Sequence, residues 1–576
     1  MCPPDSELHI PNHELKSTIG EVIEISDEEV LVEDEESEVN NSFFENRYHG
    51  IKVLILAPHS DDEINIAGNM IINLSKARAE IFVAYSTNSD FDIDASIRAE
   101  EAVNSLSILG VKRDHIIFLG YGDTYNGKGN PHIFSALKPA ASPAGKVETY
   151  PAGDFNDYSF TKHGRHSKYT RQNYLQDLKD LILDLKADII FCVDFDKHAD
   201  HRMLSLMFEQ VMFEILSRAD NDYNPEIYKR FAYSTAFTAI RDFYNENLLE
   251  TKRPIIGNIE SYDFDIIDCA NYTWNNRVRF PVSENCRGTL LENNPIAKAV
   301  FCHKSQHNNK NALGIINSDE VYFERRNNNL IFSAEIEASS GDVSKVRDFH
   351  FINTDDIDPT PPKFADYLWQ PDSNDKDKCL TIKWKQLQQI EQVKIYGSID
   401  ENSGIDKLEI KFDNTYTTII QLPVKGTPYE LNFPDKIFAC QVEFKINESH
   451  GQNFGISEIE FFANREPLRV IKPFIKITAG DNFIYEYFIP RKINRIKIDI
   501  YRFHIDKPIE VTAIGGSIER DEENKFILFL DSDNVIVRAE ITDEPGIFDQ
   551  IKIHRVSKFY FWQLKLKQLF ERIRKF

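Results

Sequence analysis

The sequence predicts an α/β domain on a mostly parallel sheet, then two β-sandwich-type domains, then a C-terminal amphipathic helix. Three observations predict this. Between about residues 46 and 330, short apolar runs alternate with segments of helical spacing, which implies βαβ units. From about 331 to 556 helical spacing vanishes, and short alternating strands are separated by turn residues. In the last twenty residues the apolar side chains fall on one face of a helix. A chain of 576 residues exceeds one core, and 41% hydrophobic content supplies several.

Residues 1–45 are expected to be a disordered acidic tail. Thirteen Asp or Glu precede Asn41 against the single Lys16, so about −12 of the net −25 lies there. Two short β-prone islands, 22–25 and 30–32, leave a partner-binding strand as the alternative.

Within 46–330, Lys52–Ala57 reads as a buried strand, Ala67–Arg78 as a helix and Ile81–Tyr85 as a strand. Ala95–Leu109 reads as a helix stopped by Gly110, and His115–Leu119 as the next strand. Residues 121–172 are rich in Gly, Pro, Ser and His and break the rhythm, as functional loops do. Tyr174–Leu185 reads as an amphipathic helix and Asp188–Val193 as a buried strand. The result is an open, Rossmann-like sheet.

Farther on, Gln392–Tyr396, Lys407–Phe412 and Gln441–Ile446 read as strands of a sandwich over 331–464. Ile493–Tyr501, Lys525–Leu530 and Asn534–Ile541 define a second β-rich domain over 465–556. In 557–576, Phe559, Trp562, Leu566, Leu569, Phe570, Ile573 and Phe576 share a face, and six Lys or Arg stand against one acid. Such a helix suits a membrane surface or partner groove; packing on its own domain and oligomerisation are the rival readings.

Net charge of −25 argues against nucleic acid as a partner. Seven scattered cysteines without a CxxC are expected to be reduced thiols. No apolar h-region follows the start and no stretch of about 18 apolar residues occurs. The expected location is therefore cytoplasmic, peripheral at the inner membrane face if the C-terminal helix docks there.

Two short stretches carry chemistry. His59-Ser60-Asp61-Asp62-Glu63 follows the first strand, and Asp194 through His198-Ala199-Asp200-His201 follows the strand Asp188–Val193. Strands of one parallel sheet end at one edge, where such sheets bind ligands. Two or three imidazoles and a carboxylate meeting there suit a divalent metal, zinc first. A spare carboxylate can take a proton from water at such a metal. Taken singly, the acids of the first stretch suit a helix start, and the second suits a loop.

Ala57 through Glu63 with His198-Ala199-Asp200-His201 resembles the PIG-L/LmbE family of zinc-dependent N-acetylglucosaminide deacetylases. Arg98-Ala99-Glu100-Glu101, Leu109-Gly110-Val111, Phe118 to Asp123, and Ala299 to Gln306 resemble further family blocks, over roughly 46–326. The resemblance implies His59, Asp62 and His201 as ligands of Zn2+, with Fe2+ as the alternative ion. It implies Asp61 as general base, His198 as oxyanion stabiliser or proton donor to the leaving amine, and Asp200 as the partner that orients a histidine. Arg98 and Asp123 match sugar-binding positions. Ser60 and Ala199 stand where the family has proline, which bears on loop rigidity.

The implied reaction is hydrolysis of the N-acetyl group of a GlcNAc-type sugar in a glycan, glycolipid or lipid-linked precursor, by attack of metal-bound water. The rivals are a non-catalytic glycan-binding protein and a deacetylase of a small-molecule amide. Phe332–Gly341, Trp369, Leu380–Trp384, Val393–Ser398 and Phe454–Phe461 resemble the discoidin (coagulation-factor C-type) sandwich, many members of which bind glycans or lipid surfaces.

Overall fold

A computed structural model describes residues 48–575 except 124–132, 134–135, 195–197, 219, 233–277, 281–282, 284–285, 287–289, 307–319, 351–367, 401, 414, 424–425, 465–473, 480–485, 504–506 and 523. The acidic tail expected over 1–45 lies outside the described residues, as do residues 195–197 just before His198.

The first layer is a seven-stranded sheet. Its strands are β1 (Lys52–Ala57), β2 (Glu80–Thr87), β3 (Ile116–Tyr121), β4 (Ile189–Val193), β5 (Glu226–Arg230), β6 (Val278–Phe280) and β7 (Glu320–Arg325). Their order is β3-β2-β1-β4-β5-β7-β6. The first five run parallel, and β7 pairs antiparallel with both β5 and β6. Strand β4 is buried at all five positions and β1 at all but the first. Continuous apolar runs of this kind belong to strands covered on both faces.

Helices α1 (Asp62–Lys76), α2 (Ala95–Leu109), α3 (Tyr158–His163), α4 (Arg171–Leu185), α5 (Ala199–Leu216) and α6 (Pro295–Val300) belong to this layer. Helix α2 begins where Asp94 accepts a hydrogen bond from the Ser96 amide and ends at Gly110, φ 98°. A Cβ at Gly110 would lie 2.1 Å from Ser75 Oγ, so only glycine fits both the turn and the neighbour.

Helix α1 starts five residues earlier than the sequence pattern suggests, and is broken at Ala67 (φ −149°). Residues 62–66 are all buried, Asp62, Glu63 and Asn65 included, so polar residues do not mark a solvent face and the helical period is invisible in the sequence.

The second layer is an antiparallel sheet of order β11-β10-β12-β9-β13, with β8 paired to β9. Its strands are β8 (Glu335–Ala338), β9 (Cys379–Gly397), β10 (Gly404–Phe412), β11 (Tyr416–Ile420), β12 (Tyr429–His450) and β13 (Ile456–Phe462). Strands β9 and β12 are 19 and 22 residues long. Their register slips between Asn432 and Ile437 and between Ala439 and Gln441; such irregularities bend long strands. Trp369 is wholly buried, pairs with Ile456 through both backbone hydrogen bonds, and donates its indole N–H to Ser340 O at 2.9 Å.

The third layer comprises two four-stranded sheets, in the orders β14-β16-β19-β18 and β15-β21-β20-β17. They run from β14 (Phe474–Thr478) and β15 (Glu486–Pro490) through β16 (Arg495–Phe503), β17 (Ile509–Ile514), β18 (Gly516–Glu522) and β19 (Lys525–Leu530) to β20 (Asn534–Ile541) and β21 (Glu544–Val556). Ile477, Ile498, Leu528, Val537 and Ile553 are in the core they share. Helix α7 (Lys558–Lys575) follows.

A buried charge network ties the first layer together and reaches the second. Lys229 on β5 meets Asp194 Oδ1 at 3.0 Å and Glu209 Oε1 at 2.5 Å. Glu209 also accepts from Arg325 at 2.9 Å, and Arg325 bonds the Phe349 carbonyl. His350 reaches Leu206 O at 3.1 Å. Removing one member of such a buried set leaves its partners charged and uncompensated. Lys229→Met is expected to lower unfolding stability by about 3–5 kcal/mol, read by urea denaturation. A change below about 1 kcal/mol would show that Asp194 and Glu209 are satisfied without Lys229.

Candidate metal and catalytic site

Four consecutive parallel strands deliver polar residues to one edge of the sheet. His59 to Glu63 follow β1, Asn88 to Asp90 follow β2, Asp123 follows β3, and His198 to His201 follow β4. Because β1 lies beside β4, with Val53 opposite Ile189 and Leu56 opposite Cys192, the two motifs adjoin although 139 residues separate His59 from His198. The connections run to opposite sides of β1, which makes this the crevice where open α/β sheets take ligands.

His59 occupies the centre. Its Nδ1 lies 3.1 Å from Asp62 Oδ2 and its Nε2 lies 3.1 Å from Asp200 Oδ2. Asp62 Oδ2 is also 3.2 Å from His201 Nε2. One carboxylate oxygen therefore stands between two imidazole nitrogens. A tetrahedral zinc site with bonds of about 2.0–2.2 Å has donor-to-donor edges of about 3.3–3.6 Å. His59, Asp62 and His201 are the donor types such an ion takes, and the two contacts of Asp62 lie close to those edges. The rings of His59, His198 and His201 also lie mutually close, with centroids 4.7 to 5.4 Å apart.

Asp200 holds the opposite nitrogen of His59, the arrangement by which carboxylates fix the tautomer of ligating histidines. Asp123 Oδ1 lies 3.7 Å from the same nitrogen. His59, Asp123 and Asp200 thus form a second cluster able to face a cation on the far side of the ring. The Asp62 side is preferred here because it offers two imidazoles with a carboxylate, the mixed donor set that suits zinc.

The electrostatics follow from burial and neighbours. Burial opposes a charge on Asp62, yet His201 and then His59 hold its carboxyl well below the usual carboxylate range. Burial likewise opposes a proton on His59, but Asp123, Asp200 and Asp62 together raise its affinity for one. An environment that favours a proton on an imidazole favours any cation beside it. Asp61 differs: burial first, then the charge of Asp62, push it up to about 6, while Arg98 opposes them.

Asp61 is also distinct in shape. Its φ is 133°, a left-handed value uncommon outside glycine. Its side chain is 17% exposed, against 1% for Asp62, so Asp61 is the more accessible of the two acids. The turn is held by Asp61 N–H donating to Glu63 Oε2 at 2.8 Å, and by Arg98 Nη2 donating to Ser60 O at 2.5 Å. The same Arg98 nitrogen is 3.6 Å from Asp61 Oδ1.

His198 caps α5, its Nδ1 accepting from the Asp200 amide at 3.2 Å. Burial and the two neighbouring histidines push it down to about 4. A neutral ring whose Nδ1 accepts carries its hydrogen on Nε2, so His198 offers an N–H donor.

The expected site residues His59, Asp61, Asp62, Asp123, His198, Asp200 and His201 come together at this edge. Arg98 lies behind the Ser60–Asp61 turn with its side chain 5% exposed, and its described contacts are with that turn. Glu63 is expected at the helix start or behind the ligands, but its partners, and the roles of Glu101 and Asp90, were not read from the sequence. Glu63 accepts from Ser105 Oγ at 3.0 Å and pairs with His303 at 2.8 Å, clamping α1 to the segment after α6. Glu101 accepts from the Ser305 amide and hydroxyl at 2.8 and 2.6 Å. Asp90 accepts from Asp123 N–H at 2.7 Å and from Tyr150 OH at 2.6 Å. A signal for Asp90 was present: it stands three residues past the end of a strand, much as Asp123 does.

The family model described as GlcNAc-PI de-N-acetylase, PIG-L, matches residues 54–212. That match covers 159 of the 576 residues. Residues 329–462 match a family described as a domain of unknown function, DUF7402. Comparison with curated proteins returned no match. Among solved structures, the chain is similar to the N,N'-diacetylchitobiose deacetylase from Pyrococcus horikoshii, at 21% identity and TM-score 0.21 over 34% of this chain and 64% of that one. It is also similar to the family 32 carbohydrate-binding module of Clostridium perfringens NanJ, at 15% identity and TM-score 0.18 over 23% of this chain and 94% of that one. The chitosan-binding module 1 of a Paenibacillus sp. IK-5 chitosanase/glucanase gives 15% identity and TM-score 0.17 over 23% and 98%.

The position of Asp200 behind His59 gives a direct test of this site. Asp200→Asn is expected to weaken zinc binding by about 10–100-fold, measured by competition with a chromogenic chelator. Unaltered affinity would mean that His59 needs no help from Asp200.

Proposed function

We propose that the chain is a metal-dependent hydrolase that removes the N-acetyl group from a GlcNAc-type sugar within a glycan, glycolipid or lipid-linked precursor. The observation that carries this reading is the convergence of His59, Asp62 and His201 beside the more accessible Asp61, inside a domain that matches a de-N-acetylase family. His59, Asp62 and His201 would hold the ion, with Zn2+ favoured by the mixed imidazole and carboxylate set and Fe2+ as the alternative.

When bound, such an ion supplies Lewis acidity and lowers the pKa of water. Asp61 takes the proton from that water, for it is the more accessible acid next to Asp62. Its raised proton affinity suits a base that must later release the proton. His198, with its N–H on Nε2, donates to the carbonyl oxygen as negative charge grows there. The proton that Asp61 took from water then goes to the departing amine, directly or relayed through His198. Acetate and a free amino sugar are the products. Asp200 keeps His59 in its tautomer. Asp123 is the carboxylate set to accept from a sugar hydroxyl, and a hydroxyl that meets Arg98 would do so beside Asp61.

The test is acetate release from a panel of N-acetylated sugars and glycolipids, with and without chelator. Release that chelator abolishes and zinc restores is the expected result, and no release across the panel would sink the reading. Asp61→Asn is expected to keep zinc stoichiometry while lowering turnover by about 10²–10⁴-fold. Activity near that of the parent would remove Asp61 from the role of base.

A further inference from the structure

Helix α7 has two apolar faces with different fates. Ser557 starts it, its hydroxyl accepting from the Tyr560 amide at 3.2 Å. Phe561, Leu564 and Gln568, spaced as one helical face, are half-buried, and the helix packs on β15. The other face is exposed: Phe559 is 81%, Trp562 57%, Leu566 53%, Leu569 48% and Phe570 59% accessible. Soluble surfaces seldom leave so many large apolar side chains together in water.

The charges around that stripe indicate what covers it. Lys558 and Lys565 are exposed to one side of it by helical angle, and Lys567 to the other. Residues 558–575 hold six Lys or Arg and one Glu, +5 on a chain whose total is −25. A second copy of this acidic chain would bring bulk negative charge to the helix, but also an identical basic helix at the point of contact. An anionic lipid surface offers both an apolar interior for the stripe and negative headgroups for the flanking lysines. No described helix is long and apolar enough to cross a membrane, so the helix would lie in the interface.

We propose that α7 docks the protein on anionic bilayers, with Phe559, Trp562, Leu566, Leu569 and Phe570 inserted and Lys558, Lys565 and Lys567 at headgroup level. Lys567 also pairs with Glu292, which stands three residues before α6 in the α/β domain. Docking therefore holds the domain that carries the crevice close to the lipid, where a lipid-linked sugar would present its N-acetyl group; this last step rests on the proposed deacetylation.

The experiment is flotation of the full chain with phosphatidylcholine vesicles, alone or with about one-third phosphatidylserine. Binding at least about tenfold tighter to the anionic vesicles, weakened by raising salt, is expected. Lys558→Gln with Lys565→Gln should weaken it by about 25-fold, taking about fivefold for each charge, equivalent to about 1 kcal/mol. Trp562→Ser with Phe570→Ser should abolish it, and both side chains are exposed enough for the fold to persist. No flotation with either vesicle, equal binding to both, or a concentration-dependent dimer lost in Trp562→Ser would overturn the proposal. The readout is lipid partition, so it stands or falls apart from acetate release.

Discussion

The parallel pairing of β1 with β4 is the constraint on which the rest depends. It requires the chain to leave β1, build β2 and β3 outward on one side, then return across the sheet and start again on the other. Right-handed crossovers make that return nearly the sole route. Its consequence is chemical. The residue that ends β1 and the residue that ends β4 emerge side by side, and α1 and α5 leave from that line. His59 and His201 share Asp62 only because of this adjacency.

Concentrating acids at one buried edge is costly unless each has a partner. The structure meets that cost in two ways. At the crevice, histidines and backbone amides face the carboxylates: Glu63 has His303, Ser105 and the Asp61 amide, and Asp90 has Tyr150 and the Asp123 amide. Behind β4, full cations do the work, with Lys229 and Arg325 set against Asp194 and Glu209. Asp194 follows β4 directly, and His198 and His201 come four and seven residues after it, so the support of β5 and β7 borders one arm of the site. Breaking either set would disturb geometry before it disturbed chemistry.

Much of this was legible in the sequence. Strands β1 to β4 read clearly because each is a mostly apolar run, and the two motifs read clearly because each stands just after such a run; β5 did not, since Glu226, Lys229 and Arg230 are three of its five residues. What was hidden was hidden for physical reasons. The first turn of α1 is buried all round, its Asp62, Glu63 and Asn65 included, so its polar residues mark no solvent face. Glu63 with His303, and Glu101 with Ser305, are pairs more than 200 residues apart, and no local pattern announces such contacts. Asp90 lacks a motif of its own; only its place after β2 gives it away. The long strands β9 and β12 appear as shorter pieces in the sequence because bulges interrupt their alternation. The face of α7 that packs inward, Phe561 and Leu564, was less evident than the exposed stripe, since the stripe alone carries the stronger apolar period.

The backbone at Asp61 ties these points together. A φ of 133° costs a non-glycine residue on the order of 1–3 kcal/mol. Glycine would accept that conformation freely. The chain instead keeps a carboxylate there and braces the turn from three directions: Glu63 on the Asp61 amide, Arg98 on the Ser60 carbonyl, and Ser89 Oγ on the Ser60 amide. Asp62 goes to His59 and His201, while Asp61 keeps the more accessible position beside Arg98. The braces at Glu63, Arg98 and Ser89 are thus as much a part of the site as the side chains they aim.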